Sequence, residues 1–263
     1  MKMEAQKGER TKMNKSETIF LFDVDGTLTP SREKVTTEMK AFLTALREKV
    51  VIGFVGGSDL PKQQEQLGND CTKLFDYCFP ENGLTFIKNG EVIKKESYLG
   101  FIGQERHRHL VQTIMKLFSE LKADEVPVLS GNFIELRHSM VNISPVGRSC
   151  TREERKAFKE LDSVNKTREK IVKALKAEFD ELSFSIGGEI SIDIFPNGWD
   201  KTYSLNHLIS EGFKNIFFFG DMTEKGGNDF EIYSDDRVTG TTVKSPEDTI
   251  KKVRALLDTL EIQ

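Results

Sequence analysis

FLFDVDGTLTPSREK, residues 20–34, runs from an apolar segment directly into Asp23 and Asp25, with Gly26 next. The wider segment 18–26, TIFLFDVDG, is nearly continuous in apolar residues, the pattern of a strand buried on both faces. Period-two alternation sends Asp23 and Asp25 to the same side if the strand runs on. Two carboxylates so close repel each other and lose hydration on burial. They persist where a positive group offsets them or where the chemistry needs both.

Outward from this strand, the segment 36–49 carries Met39, Phe42, Leu43 and Leu46 at helical spacing. VVIGFVGGS (50–58) reads as a second buried strand that closes on a glycine pair and Ser58. A helix capped by Asp59 follows, and then a short strand and a hairpin turning at Asn89-Gly90. Strand and helix in alternation predict an α/β fold, a doubly wound, Rossmann-like sheet. Beyond residue 92 the character changes. Residues 105–123 and 151–181 read as charged amphipathic helices, and 131–147 and 182–198 as antiparallel hairpins. The α/β pattern resumes at about 200 with a helix, the strand NIFFFGD (215–221), a loop and a final helix over 246–260. The expected organisation is a core of 18–92 plus 200–263, an inserted α+β cap domain of 93–199, and a mobile N-terminal extension over 1–17.

The chain has 263 residues, 37% hydrophobic content and a formal charge of −4, so it can bury a sizeable core and gives no reason to expect nucleic acid as a partner. No apolar run approaches the roughly 20 residues of a membrane span, and the polar N-terminus has no signal-peptide core. Cys71, Cys78 and Cys150 match no metal-binding spacing and read as buried, inert thiols. A cytoplasmic protein of a reducing compartment is the expectation.

In open α/β sheets ligands bind outside the carboxyl ends of the strands. Four polar features fall there. The first strand delivers Asp23 and Asp25, the second Ser58 and the later one Asp221, while Lys201 begins the helix that re-enters the core. A calcium-binding helix-loop-helix is excluded on spacing, because the glycine is fourth rather than sixth and Lys34 stands where a bidentate glutamate is needed. A pair of solvated loop acids is the plain alternative, and the buried strand before them argues against it. The chemical reading is a Mg²⁺–carboxylate site that handles phosphate, with Asp23, Asp221 and the Asp25 carbonyl as the protein's ligands. A carboxylate nucleophile splits one hard displacement into two, and a second carboxylate can pass the proton. Gly56, Gly57, Ser58 and Lys201 are suited to binding the transferring phosphoryl oxygens.

FDVDGTLT, VGGSD, WDK and FFGD with GGND, in this order, resemble the four motifs of the haloacid dehalogenase superfamily of phosphotransferases. FPENGL, FIELRHSMVNISPVGRSCTREER, FSIGGEISIDIFPNGWDK and GDMTEKGGNDFEIY extend the resemblance to the eukaryotic-type phosphomannomutases over nearly all of 18–262. The resemblance implies interconversion of mannose 6-phosphate and mannose 1-phosphate, with tolerance of glucose phosphates, for GDP-mannose synthesis. It implies Mg²⁺ and an aspartyl-phosphate primed by a hexose 1,6-bisphosphate. By motif position Asp23 is then the nucleophile and Asp25 the general acid–base. Arg32, Arg137, Arg148, Arg155, Ser191 and Asp193 hold the sugar phosphate, Asp221 completes the catalytic metal site, and Tyr233, Asp235 and Val238 form a second cation-binding loop. A homodimer through the cap is implied as well. The family pattern has a lysine where this chain has Met222 and an aspartate where it has Asn197, which touches sugar preference rather than the reaction.

The residues support a mutase on their own terms too. A mutase must hold an anion at each end of its substrate, so its insertion needs a second anion site. Arg137 on a strand, with Arg148 and Arg155 flanking a helix start, offers arginine forks that suit phosphate bidentately, and the helix N-terminus adds its dipole and free amides. A sugar phosphatase with the same core is the rival enzyme reading. A silent binding protein is the rival of another class, and the presence of Asp23, Asp25, Lys201 and Asp221 together speaks against it.

Overall fold

A computed structural model of the chain describes residues 10–31 and 33–263, and in it the apolar run Thr18–Phe22 is a strand with every residue buried. In chain order the elements begin with β1 (Thr11–Met13), β2 (Thr18–Phe22), α1 (Thr37–Arg47) and β3 (Val51–Val55). Next come α2 (Leu60–Leu67), α3 (Cys71–Leu74), β4 (Tyr77–Phe79), β5 (Thr85–Lys88) and β6 (Glu91–Lys95). The inserted segment holds α4 (Tyr98–Ile102), α5 (Gln104–Ser119), β7 (Ile134–Leu136), β8 (Val141–Ile143), α6 (Arg152–Asn165), α7 (Thr167–Lys176), β9 (Leu182–Gly187) and β10 (Ser191–Pro196). The chain ends with α8 (Tyr203–Ser210), β11 (Asn215–Gly220), α9 (Phe230–Tyr233), β12 (Val238–Thr242), α10 (Pro246–Thr259) and β13 (Leu260–Ile262). By its contacts the chain forms two units, one of residues up to Lys95 with Asp200–Gln263, the other Glu96–Trp199.

The first unit is built on a seven-stranded sheet in the order β12-β11-β2-β3-β4-β5-β6, parallel from β12 to β4 and antiparallel beyond. Strands succeed one another from β2 to β3 to β4 on one side, while β11 and β12 lie on the other. The order therefore reverses at β2, and the carboxyl end of β2 is the switch point where such sheets bind ligands. Alternation sorts the side chains. Phe20 and Phe22 join Phe217 and Phe219 in the core beneath α1 and α10, while Ile19 and Leu21 join Ile216 and Phe218 against α8. A strand with apolar neighbours on both faces has only its ends left for polar chemistry.

The second unit packs helices on a four-stranded antiparallel sheet, order β7-β8-β10-β9. Val141, Ile143, Ile192 and Ile194 are fully buried on one of its faces. The α/β core and the antiparallel insertion follow the predicted fold class.

Three local features differ from the sequence reading. Within the segment expected to be a mobile extension, Thr11–Met13 pairs in parallel with Leu260–Ile262. This pairing is made by backbone groups, and Met13 packs on the core, so composition alone does not reveal it. The loop after Asp221 contains a short helix and β12, a half-exposed edge strand whose VTGTT sequence shows no apolar run. The hairpin turning at Asn89-Gly90, both at positive φ, carries β6 past the boundary expected at 92. No helix among the described residues is long and apolar enough to cross a membrane.

Candidate active site

The register of β2 on β11 pairs Phe22 with Phe219, and the Asp23 amide donates to the Phe219 carbonyl at 2.9 Å. Asp23 therefore leaves the sheet beside Gly220, and Asp221 follows on the neighbouring strand. Gly26 allows the two ends to close up. It has φ +74°, and a Cβ there would stand 2.2 Å from Asp221 Oδ2, so neither backbone nor space admits a side chain. The turn is closed by Gly26 N–H to Thr29 O at 2.8 Å and Thr29 N–H to Val24 O at 3.0 Å.

Lys201 enters from the turn before α8, where Asp200 Oδ1 accepts from Thr202 N–H at 2.8 Å. Its ammonium is 2% exposed and donates to Asp23 Oδ1 and, at 2.5 Å, to Asp229 Oδ1. Asp229 Oδ2 accepts from the Met222 amide at 3.1 Å. Both oxygens of Asp229 are thus engaged, and it holds Lys201 and the Asp221 turn together. Gly220 makes this possible, since a Cβ there would meet Asp229 Oδ2 at 2.5 Å. Asp23 Oδ2 is buried and has no hydrogen-bond partner. Burial pushes the Asp23 carboxyl up to about 7, with the neighbouring Lys201 pulling the other way. Asp221 is raised as well, by burial and by the charge of Asp229. Burial works to depress the Lys201 ammonium, but the two carboxylates outweigh it and its net shift is upward.

Carboxylate oxygens of Asp23, Asp221 and Asp229 lie within 4.8 Å of one another, and a single ammonium answers them. Negative charge is in surplus and every donor is a hard oxygen, which suits a small divalent cation rather than a soft metal. With Asp229 committed to Lys201 and Met222, Asp23 and Asp221 are the carboxylates left to hold such an ion.

Asp25 is half-buried, and its Oδ1 accepts from Gln66 Nε2 on α2 at 2.7 Å. Gly57 and Ser58 follow β3, whose Phe54 pairs with Phe22 of β2, so the loop lies at the adjacent strand end. The loop is tied down by the next turn: Glu81 N–H donates to Ser58 O and Asn82 N–H to Gly56 O, each at 2.9 Å. Glu81 and Asn82 make that turn at φ 52° and 61°, a left-handed pair outside the usual range of non-glycine residues.

In the second unit the sheet gathers a polar row. Glu135, Asn142 and Asp193 are register partners across β7, β8 and β10. Arg148 donates to Asn142 Oδ1 at 2.6 Å and to Ser191 Oγ at 3.4 Å, and its Nε pairs with Glu135 at 2.9 Å. Arg137 pairs with the same Glu135 oxygen at 2.9 Å. Asn142 Nδ2 donates to Asp193 Oδ1 at 2.5 Å, and Arg155 Nη2 donates to the Arg148 carbonyl at 2.5 Å. Arg137, Arg148, Arg155, Ser191 and Asp193 therefore form one connected cluster. Arg32 lies outside the described residues.

Tyr233, Asp235 and Val238 adjoin one another between α9 and β12, but the Asp235 carboxylate is gripped by Arg237, Nε at 2.7 Å and Nη2 at 2.6 Å. That guanidinium holds the Asp235 carboxyl below its usual range. The three cysteines are buried and unpaired. Asp229 enters the sequence reading only within the GGND motif, while Gln66, Glu135 and Asn142 are given no role in it. Nothing in the local sequence marks any of these three; each acquires its place through the partner it meets in the fold.

The family described as eukaryotic phosphomannomutase matches residues 39–259. The phosphomannomutase of Encephalitozoon cuniculi is 52% identical over 238 residues, 90% of this chain and 92% of that protein. That of Saccharomyces cerevisiae is 49% identical over 246 residues, 93% and 96% of the two. Among solved structures, a sugar phosphatase of HAD subclass IIB superposes with a TM-score of 0.54 at 17% identity, covering 93% of this chain and 92% of that one, a likeness of fold.

Proposed function

Because the chain belongs to the eukaryotic phosphomannomutase family, we propose that it interconverts mannose 6-phosphate and mannose 1-phosphate through a phosphorylated Asp23. The observation that carries this reading is the state of the Asp23 carboxylate. Lys201 fixes one oxygen, and the other is buried without a partner, free to form a new bond. A hexose 1,6-bisphosphate primes the enzyme. Asp23 Oδ2 attacks the phosphorus, the bond from phosphorus to the sugar oxygen breaks, and Asp25 gives that oxygen its proton. In the second half-reaction Asp25 takes the proton from the attacking sugar hydroxyl, and the aspartyl-phosphate passes its phosphoryl group on. Gly57, Ser58 and Lys201 receive the phosphoryl oxygens.

Mg²⁺ is the cation this donor set suits; Asp23, Asp221 and the Asp25 carbonyl would hold it, and it would supply positive charge to the transferring phosphoryl group. A second cation at Tyr233, Asp235 and Val238 would draw on carbonyl oxygens, since Arg237 already neutralises the Asp235 carboxylate.

A mutase differs from a phosphatase in needing a second anion site, and Arg137, Arg148 and Arg155 with Ser191 and Asp193 supply it within the cap. Arg32 completes that set on the family motif. The product mannose 1-phosphate serves GDP-mannose synthesis in the cytoplasm, and glucose phosphates are secondary substrates. The protein acts as a homodimer joined through the cap.

The test follows mannose 6-phosphate and inorganic phosphate together, from mannose 1-phosphate and Mg²⁺, with and without catalytic glucose 1,6-bisphosphate. Mannose 6-phosphate that depends on the bisphosphate is the expected result. Free phosphate without the isomer would make the core a phosphatase and overturn the mutase reading.

A further inference from the structure

Two charged forks side by side repel each other and, left alone, splay into solvent. In the cap one carboxylate oxygen stops this. Glu135 Oε2 accepts from Arg137 Nη2 and from Arg148 Nε, each at 2.9 Å. Arg148 is then fixed on a second side, because its Nη1 donates to Asn142 Oδ1 at 2.6 Å. The other end of the same amide donates to Asp193 Oδ1 at 2.5 Å. Asn142 is 2% exposed, so these partners are the ones its amide has, and they fix which way it points.

Asparagine alone joins an acceptor and a donor on so short a stem. Aspartate would turn a second negative charge on Asp193, and leucine would leave both partners bare. The register explains why these residues meet: Glu135 faces Asn142 across β7 and β8, and Asn142 faces Asp193 across β8 and β10, while Ile143 and Ile192 take the opposite, buried face. The polar face thus carries an ordered chain of bonds from Arg137 through Glu135, Arg148 and Asn142 to Asp193. Its order is set by the strand register.

We infer that Glu135 and Asn142 are positioning residues of the cap's anion site, Glu135 joining Arg137 to Arg148 and Asn142 joining Arg148 to Asp193. The inference rests on the proposed reading that these arginines hold an anionic end of the substrate. Ordering a flexible guanidinium before the ligand arrives removes that cost from binding. Neither residue needs to touch the ligand, so their loss weakens binding and leaves the chemical step intact.

The experiment compares Glu135→Ala, Glu135→Gln and Asn142→Asp with the wild type in two assays. One is the kcat and KM of mutase turnover. The other is calorimetric titration with inorganic phosphate in the absence of divalent cations, in which the difference between the wild type and variants that leave the core untouched reads the cap's anion site. The Glu135 side chain is 38% exposed, so its replacement is expected to leave the fold in place, and thermal melts check this for the buried Asn142→Asp.

Losing a hydrogen bond to a charged group predicts that Glu135→Ala and Asn142→Asp raise KM and weaken phosphate binding by about tenfold or more, with kcat within about threefold. Glu135→Gln keeps a bridging oxygen without the charge and is expected to fall between the wild type and Glu135→Ala. Unchanged KM and phosphate binding in Glu135→Ala would overturn the inference. So would tighter binding, which would make Glu135 a competitor of the ligand, or a glutamine variant as impaired as the alanine one. A wild type without mutase turnover whose phosphate binding still weakens in Glu135→Ala would overturn the proposed function and leave this inference standing. A wild-type cap that binds no phosphate would overturn both.

Discussion

Lys201 and Asp23, 178 residues apart in sequence, are bonded to each other in the interior of the core unit, and Lys201 bonds Asp229 as well. All three side chains are at most 4% exposed. Removing one partner of a buried ion pair strands the other in a medium that cannot solvate it, at a cost of about 3–5 kcal/mol. Lys201→Met leaves two carboxylates facing each other. It should destabilise the protein by that order, read from urea melts, and reduce turnover to background. A Lys201→Met protein that melts with the wild type would show that the ammonium is not held between these carboxylates.

The raised carboxyl of Asp23 makes a second prediction, whose sign follows from linkage. In the folded, cation-free protein burial puts it at about 7, against 3.8 for an ordinary aspartate. Between those values the unfolded chain gives up a proton that the folded one keeps. The contribution of this group to stability therefore declines as pH rises from about 4 through about 7. Thermal melts in a chelator should show Asp23→Asn gaining on the wild type over that window. Saturating Mg²⁺, which binds the ionised form, should remove the difference. Parallel curves in the chelator would refute the assignment.

Much of this was open to sequence reading, for a physical reason. β2, β3 and β11 are buried on both faces, so their apolar runs are continuous and end abruptly at Asp23, Gly56 and Asp221. Asn89-Gly90 marks its hairpin because few other pairs tolerate positive φ twice. What stayed hidden depends on pairing or distant partners. β1 and β12 are edge strands held by backbone bonds, and their side chains keep no apolar rhythm. Gln66 is one polar residue among several on α2 until Asp25 is seen beside it. Glu135 and Asn142 occupy the polar positions of alternating strands, where a solvated face reads the same as a built site.

Gly26 supplies a third prediction. Gly26→Ala puts a side chain at φ +74° and a Cβ into the space of Asp221 Oδ2. The strain alone costs about 1–3 kcal/mol. Asp221 must also move, and a displacement of about 1 Å at a reacting centre can cost about a hundredfold in rate. Gly26→Ala is therefore expected to lose turnover by that order while showing only a modest fall in melting temperature. Near wild-type turnover would mean that Asp221 has freedom this packing denies it.

In the cap, Arg168 is the structural counterpart of Lys201. It pairs with Asp162 at 2.7 Å, both side chains below 10% exposure, and donates to the carbonyls of Gly187, Gly188 and Ser191 at 3.2–3.3 Å. Those carbonyls belong to the β9–β10 hairpin that carries Ser191 and Asp193. Arg168→Met leaves Asp162 buried without its partner and the turn without its donors, so the loss should again be about 3–5 kcal/mol. Adding Asp162→Leu removes the stranded charge and should recover part of the stability, but not the three carbonyl bonds. The double variant should therefore melt between the single variant and the wild type, while its KM for mannose 1-phosphate stays raised because the hairpin is still loose. Full recovery of both would mean that the hairpin holds its shape without Arg168, and that the ion pair serves the helices alone.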